Sequence, residues 1–379
     1  MNGSRQAPFI YIATPWGPVG GGMYRVADYL VQAQDNTPSP AGEVAQLREL
    51  DTRGNGSAIG SLLITLRAMA AIVRGRLDGR LAGVHVNMAE RLSVFRKACL
   101  MATCRLLGVP AVLHLHAAQF PQFYRGLGRL ARAAVRRVFA LPAAVVVLGE
   151  TARRFVVEEL GVPAGRVEIV INGVPEPSVH RRTATGEGPQ RLLFLGNLSQ
   201  RKGVPDLIRA LASPAFTRQG VEAVFAGGGD VAAYETLARD CGVADFVRFA
   251  GWVDQRQAAR LIAAADVLVL PSYDEGLPLV ILEAMANGLA VVCTPVGEIP
   301  HVMEDGVHAA FVQPGDVPGI ARALQAVLSQ AELRERFERN GRAVYDEKFS
   351  VSRFFDNIAA VHRRCFGVAA RLRQPSPEA

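Results

Sequence analysis

Cysteine is scarce in this 379-residue sequence. The five that occur, Cys99, Cys104, Cys241, Cys293 and Cys365, are odd in number, scattered and free of any C-x-x-C pair. That spacing speaks against a disulfide framework and a thiolate metal site, and it fits a reducing compartment. Long apolar runs are also missing. The longest, residues 141–148 and 261–270, are interrupted by Pro142 and Asp266 and are too short to span a bilayer, so no transmembrane helix is expected. The opening MNGSRQAPFIYIATPWG lacks a cationic region followed by an apolar stretch, so export is not expected and a cytoplasmic location is. No G-x-G-x-x-G phrase follows the first strand, which disfavours nicotinamide binding. Neither a solenoid-length repeat nor an aromatic-interleaved basic platform is present, which leaves nucleic acid without support.

What is there is apolar residue in quantity, half of the chain, in a length that exceeds what one hydrophobic core usually supports. Strand-like runs at 9–13, 84–87, 111–116, 143–148, 167–171, 191–195, 221–226, 247–250, 267–270 and 290–293 alternate with helix-like stretches. That is the pattern of α/β domains with parallel sheets. The phrase VPEPSVHRRTATGEGPQ breaks the alternation. The expected plan is a domain over 1–178, a linker over 179–190, a second domain over 191–348, a helix over 349–368 packing back on the first domain, and a disordered tail over 369–379. Charge divides with the domains. Residues 1–180 carry 20 Lys+Arg against 12 Asp+Glu, and residues 181–379 carry 22 against 23, so the first half suits an anionic surface.

The richest chemistry lies in PSYDEGLPLVILEAMANGLAVVCTPV, residues 271–296. A buried strand ends in an acidic turn, and a helix is expected from about Leu277, with Gly276, Leu277 and Pro278 at its mouth. The unpaired N–H groups of a helix start at the carboxyl end of a parallel strand form an anion site. Glu275 precedes that helix and Glu283 lies eight positions on, placed to accept hydrogen bonds from different hydroxyls of one ligand. The stretch resembles the E-x7-E signature of glycosyltransferase family 4, with its flanking PS, EG, P, LEAMA and G. The resemblance implies a GT-B fold of two Rossmann-like domains facing across a cleft, retention of anomeric configuration, a nucleotide diphosphate sugar as donor, and no metal or other cofactor. It implies that Glu275 contacts the donor sugar and Glu283 the ribose.

A second piece, Gly196 to Gly203 (GNLSQRKG), follows the strand RLLFLG. A cation here stabilises a departing diphosphate more than the ground state. Lys202 is the candidate; Arg201 is a second, because Asn197 stands where the family usually has arginine. The glycine-rich AGGGD (226–230) and the Asn172-Gly173 step match the family too, as evidence of fold.

In the first half, Gly20, Gly21 and Gly22 form a loop able to approach a diphosphate closely. His114 and His116 sit two apart in HLHAAQF, so strand alternation puts both imidazoles on one face. The resemblance makes His116 a candidate for contact with the donor sugar or the reacting centre. Arg125, Arg129, Arg132 and Arg136 are spaced as one face of a helix, and Arg67, Arg74, Arg76 and Arg80 add charge after another, together suggesting peripheral contact with an anionic membrane. The expected activity is transfer of a hexose, first mannose from GDP-mannose and next a UDP-hexose, onto a lipid-linked oligosaccharide in exopolysaccharide biosynthesis. The alternatives are a GT-B sugar-nucleotide epimerase and a non-catalytic sugar-nucleotide-binding peripheral membrane protein.

Overall fold

A computed structural model describes residues 7–17, 21–35, 44–54, 58–179, 181 and 188–374. The chain divides into two units, Met1–Gly173 with Val351–Ala379, and Val174–Ser350. The first unit runs β1 (Phe9–Thr14), α1 (Gly21–Ala33), β2 (Gln46–Asp51), α2 (Ala58–Leu77), β3 (Leu81–Met88), α3 (Leu92–Leu106), β4 (Ala111–Leu115), α4 (Phe120–Arg125), α5 (Arg129–Ala140), β5 (Ala144–Val147), α6 (Glu150–Glu158) and β6 (Val167–Ile169). The second runs β7 (Gln190–Leu195), α7 (Val204–Leu211), β8 (Val221–Ala226), α8 (Val231–Asp240), β9 (Val247–Gly251), α9 (Gln255–Ala264), β10 (Val267–Leu270), α10 (Leu279–Ala286), β11 (Ala290–Cys293), α11 (Ile299–Val302), β12 (Ala310–Phe311), α12 (Val317–Ser329) and α13 (Ala331–Val344). The last helix, α14 (Val351–Phe366), returns to the first unit.

Each unit holds a six-stranded parallel sheet, ordered β2-β1-β3-β4-β5-β6 in the first and β12-β11-β10-β7-β8-β9 in the second. In the first sheet the connections from β2 onward all step one way. Right-handed crossovers therefore put α2, α3, α4, α5 and α6 on one face, while the reverse step from β1 to β2 puts α1 on the other. Alternation along the strands serves both layers: Val84, Val86, Met88, Leu113 and Leu115 join the core beneath α2 to α6, and the residues between them face the other way. There α14 packs against α1, β3 and β4.

The sequence expectations need correction in places. The edge strands β2 and β12 had no apolar run to mark them. The first boundary falls at 173/174 and not 178, because Val174 already bridges Ser350 and its N–H donates to the Phe349 carbonyl (2.9 Å) inside the second unit. Of the expected linker, residues 180 and 182–187 lie outside the described residues. The tail is placed as far as residue 374: Arg371 pairs with Asp35 (2.7 Å), Leu372 bridges Gln34 and the Arg373 N–H donates to Ala33. The expected arginine-faced helix is two helices, since Gly126 closes α4 and Gly128 opens α5, and glycine is a poor helix former. Its arginines turn onto their own chain: Arg125 pairs with Glu159, Arg132 donates to the Leu127 carbonyl (2.8 Å), and Arg136 donates to the Tyr124 hydroxyl (2.8 Å).

Docking of α14 requires glycine at position 83 in β3. A Cβ there would lie 2.5–2.7 Å from three atoms of the Phe366 ring. Gly83→Val is therefore expected to lower stability by about 1–3 kcal/mol, with much of the loss recovered when Phe366→Ala is added. Denaturant unfolding of the two single variants and the double variant checks this, and additive losses would contradict it.

Candidate active site

In the second unit, β7 leads to β8 on one side and has β10 on the other. The loops after β7 and β10 therefore part at the carboxyl edge of the sheet, the topological switch point where open α/β sheets bind ligands. The β7 loop makes a single 3-10 turn, Gln200–Lys202, and enters α7 through Gly203 at φ 70°. A side chain at 203 would overlap the Pro271 carbonyl, so glycine lets this loop rest against the one after β10. The two loops are stitched together. The Tyr273 N–H donates to the Arg201 carbonyl (2.8 Å), Arg201 Nη1 to the Asp274 carbonyl (2.6 Å), and the Tyr273 hydroxyl to Asp206 Oδ2 (2.9 Å).

At the centre of this seam Lys202 Nζ is ion-paired with Glu275 Oε1, which also accepts from the Ser272 hydroxyl (2.8 Å). The two charged side chains are 13 % and 8 % exposed, little enough that solvent screens the pair weakly. Ser272 is itself held in register, its carbonyl accepting from the Thr294 hydroxyl (2.6 Å). The helix behind Glu275 starts two residues later than expected, at Leu279, because Pro278 has extended backbone (ψ 126°) and occupies the N-cap. Gly276, Leu277 and Pro278 form a lead-in, with the Gly276 carbonyl accepting from the Glu298 N–H (2.9 Å). Glu283 is the fifth residue of α10 and is buried.

In the first unit the switch point lies between β1 and β3. Gly21 and Gly22 are not loop residues but the opening of α1, where N–H groups have no helical acceptor; Gly20 lies outside the described residues. On the face that packs against α14, four imidazoles run in series. His362 Nε2 meets His85 Nδ1 at 2.9 Å, His85 Nε2 meets His114 Nδ1 at 3.2 Å, and the His114 ring lies 3.9 Å from that of His116. His116 follows β4 and its Nε2 donates to Asn87 Oδ1 (3.2 Å), which leaves Nδ1 as the acceptor of a neutral ring. His114 Nε2 is buried with no protein partner. Burial pushes all four rings down, His85 to about 4 and His116 to about 3. Among the described residues no cluster of His, Cys, Asp and Glu is arranged to hold a metal ion.

Known families match both units. The sequence model described as "Glycosyl transferase 4-like domain" covers residues 24–173, and that described as "Glycosyl transferases group 1" covers residues 176–344. The chain belongs to the GT-B glycosyltransferases. An uncharacterized glycosyltransferase of Methanocaldococcus jannaschii is 31% identical over 241 residues, 60% of each chain. The lipopolysaccharide core biosynthesis glycosyltransferase LpsE of Rhizobium meliloti is 36% identical over 160 residues, 42% of this chain and 45% of its own. The aligned part is thus less than two thirds of either relative. Among solved structures, Anabaena HepE in complex with UDP-glucose superposes with a TM-score of 0.74 at 18% identity, over 94% of this chain and 99% of that one, a likeness of fold.

Of the residues singled out in the glycosyltransferase sequence, Lys202 and Glu275 meet directly, and Arg201 lies in the same seam. His114 and His116 share a face. Sequence reasoning missed Ser272 and Asp206, and it missed His85, Asn87 and His362. The V-H-V-N phrase of β3 is the one local signal for His85 and Asn87, since alternation aims both at the face that His114 uses. It also missed Lys97, which reads as a solvated base in FRKACL but is fully buried. Its amine donates to Thr52 Oγ1 and, at 3.3 Å, to the Ala13 carbonyl at the end of β1; burial drives its pKa well down.

Two outcomes are expected. Lys202→Met and Glu275→Gln each strand one buried charge or its partner, at a cost of about 3 kcal/mol. The double variant loses less than the sum, read by denaturant unfolding, and strict additivity would show that the pair carries no coupling. The histidine series makes stability depend on pH. The folded pKa values lie below the ordinary 6.5, so protons bind the unfolded chain preferentially as pH falls from about 6.5 towards 4. Stability is complete above that window and is lost across it, by roughly 1.4 kcal/mol per pH unit for each ring. Unfolding curves at pH 7 and pH 5 check this, and a flat profile would refute it.

Proposed function

We propose that the chain transfers a hexose, with retention of configuration, from a nucleotide diphosphate sugar to a lipid-linked oligosaccharide of exopolysaccharide assembly at the inner face of the cytoplasmic membrane. GDP-mannose is the first donor to test and a UDP-hexose the next. The observation that carries the reading is the contact of Lys202 with Glu275 at the switch point of the second sheet, which sets a cation and a carboxylate side by side. In the reaction the bond from the anomeric carbon to the diphosphate oxygen breaks as the bond to the acceptor oxygen forms. The acceptor proton passes to an oxygen of the leaving diphosphate, so no separate general base is required. Lys202, with Arg201 beside it, meets the charge that grows on the diphosphate. Glu275 accepts from sugar hydroxyls and Glu283 from the ribose. His116, neutral and with Nδ1 an acceptor, contributes a hydrogen bond to a sugar hydroxyl without adding charge. Neither a metal nor another cofactor takes part in this scheme. The excess of basic residues in the first 180 positions supports an anionic surface as the place where acceptor is met, and no described helix is long and apolar enough to cross a membrane.

A thermal-shift series with GDP-mannose, UDP-glucose and an ADP-sugar tests the donor. Selective binding stabilises the native state by about 2.7 kcal/mol at a hundredfold excess over Kd, so one nucleotide class is expected to raise Tm and the others not. Radiolabel from that donor then moves into a membrane lipid extract, and Lys202→Met and Glu275→Gln each cut this at least about 100-fold. A donor converted in the absence of any acceptor would identify an epimerase, and no shift with any nucleotide sugar would end the reading.

A further inference from the structure

Among the described residues, twelve large apolar side chains are exposed, and eight of them belong to α2 and α3, which pack side by side in one layer. That concentration is too high for the scattered surface leucines of an ordinary soluble domain. Helix α2 is apolar on two sides. Ser61, Thr65, Ala68 and Ile72 are buried inward, while Leu62, Leu66, Val73 and Leu77 are 50 %, 50 %, 36 % and 80 % exposed. At about 100° per residue the latter four fall within a sector of roughly 60°. Arg67 and Arg74 border this stripe on one flank and Arg76 on the other. Helix α3 repeats the arrangement. Leu92, Phe95, Cys99, Ala102 and Leu106 recur at three- and four-residue steps, one helical face, and Leu92, Phe95 and Leu106 are 66 %, 61 % and 87 % exposed. Neither helix contains a single Asp or Glu.

We propose that the outward face of α2 and α3 is a membrane-docking surface, its leucines and phenylalanine set into the acyl boundary of an anionic bilayer and its arginines on headgroup phosphates. This deepens the proposed function by naming the surface on which a lipid-linked acceptor is met. The chemistry selects the occupant. Large apolar side chains between arginines, with no acidic residue, match a surface that is apolar within and anionic at its rim. A second copy of the chain docking on this face by two-fold symmetry would set the same arginines against each other. The docking face is thus α2 and α3, where eight of the twelve exposed large apolar side chains lie beside arginines.

The test is co-sedimentation of the full chain with phosphatidylglycerol and with phosphatidylcholine vesicles, at low and high salt. Wild type is expected on phosphatidylglycerol only. Leu62→Gln/Leu66→Gln/Phe95→Ser should weaken that binding at least tenfold at both salt concentrations, and Arg67→Gln/Arg74→Gln should weaken it chiefly at low salt. All these positions are exposed, so the variants should keep the wild-type Tm and its nucleotide-sugar shift. Loss of the nucleotide-sugar shift in every protein would defeat the transferase reading and leave the vesicle result standing. Undiminished vesicle binding by the leucine and phenylalanine variant overturns the proposal. So does a wild-type dimer in analytical ultracentrifugation that this variant converts to monomer.

Discussion

Two loops that belong to strands distant in sequence are brought into van der Waals contact at the carboxyl edge of the second sheet, and the site depends on that approach. Lys202 leaves β7 and Glu275 leaves β10, and the chain between them builds two further strands before returning to the other side of β7. Had β10 paired elsewhere, the amine and the carboxylate would face water separately, each fully hydrated. The absence of a side chain at 203 permits the loops to close, the backbone bonds of Tyr273 and Arg201 hold them closed, and Ser272 orients the carboxylate. An ion pair so enclosed gains little net stability, because desolvation offsets most of the attraction. Its effect is to hold two opposite charges at fixed positions at the carboxyl edge of the sheet.

The first unit handles charge in the opposite way. Its sheet carries histidines on the face that packs against α14, where water is excluded and imidazolium is disfavoured, so the rings bond to one another as neutral groups. Lys97 obeys the same rule, its amine buried against a carbonyl and a hydroxyl. One unit thus holds a buried ion pair, while burial in the other disfavours charge on its imidazoles and on Lys97. Both solutions pair most of the polar atoms they bury, and in the first unit His114 Nε2 is left with no protein partner.

What could be read from the sequence follows from how each element is buried. Strands β10 and β11 were delimited to the residue, because a parallel strand covered on both faces is a continuous apolar run bounded by turns. The edge strand β2, QLRELD, is half polar and gave no such run. Glu275 and Lys202 could be picked out by the phrases around them, although the start of α10 was misplaced because Pro278 fits an N-cap as readily as a first turn. His362 could not be linked to His85 by any local pattern, since 277 positions separate them and only the packing of α14 joins them. The arginines of α4 and α5 do not lie along one helix, because spacing does not report that the glycines at 126 and 128 divide the segment.

The return of α14 to the first unit also bears on the order of events during synthesis. The His362 ring that completes the imidazole series and the Phe366 ring that covers Gly83 follow the second unit in the chain, so a ribosome has made the whole second unit before the first can close. Until then the histidine-bearing face of the first sheet is covered by α1 without α14. Folding of the first unit therefore cannot run to completion in the vectorial order that is common in multidomain proteins; a segment translated after the second unit completes the first.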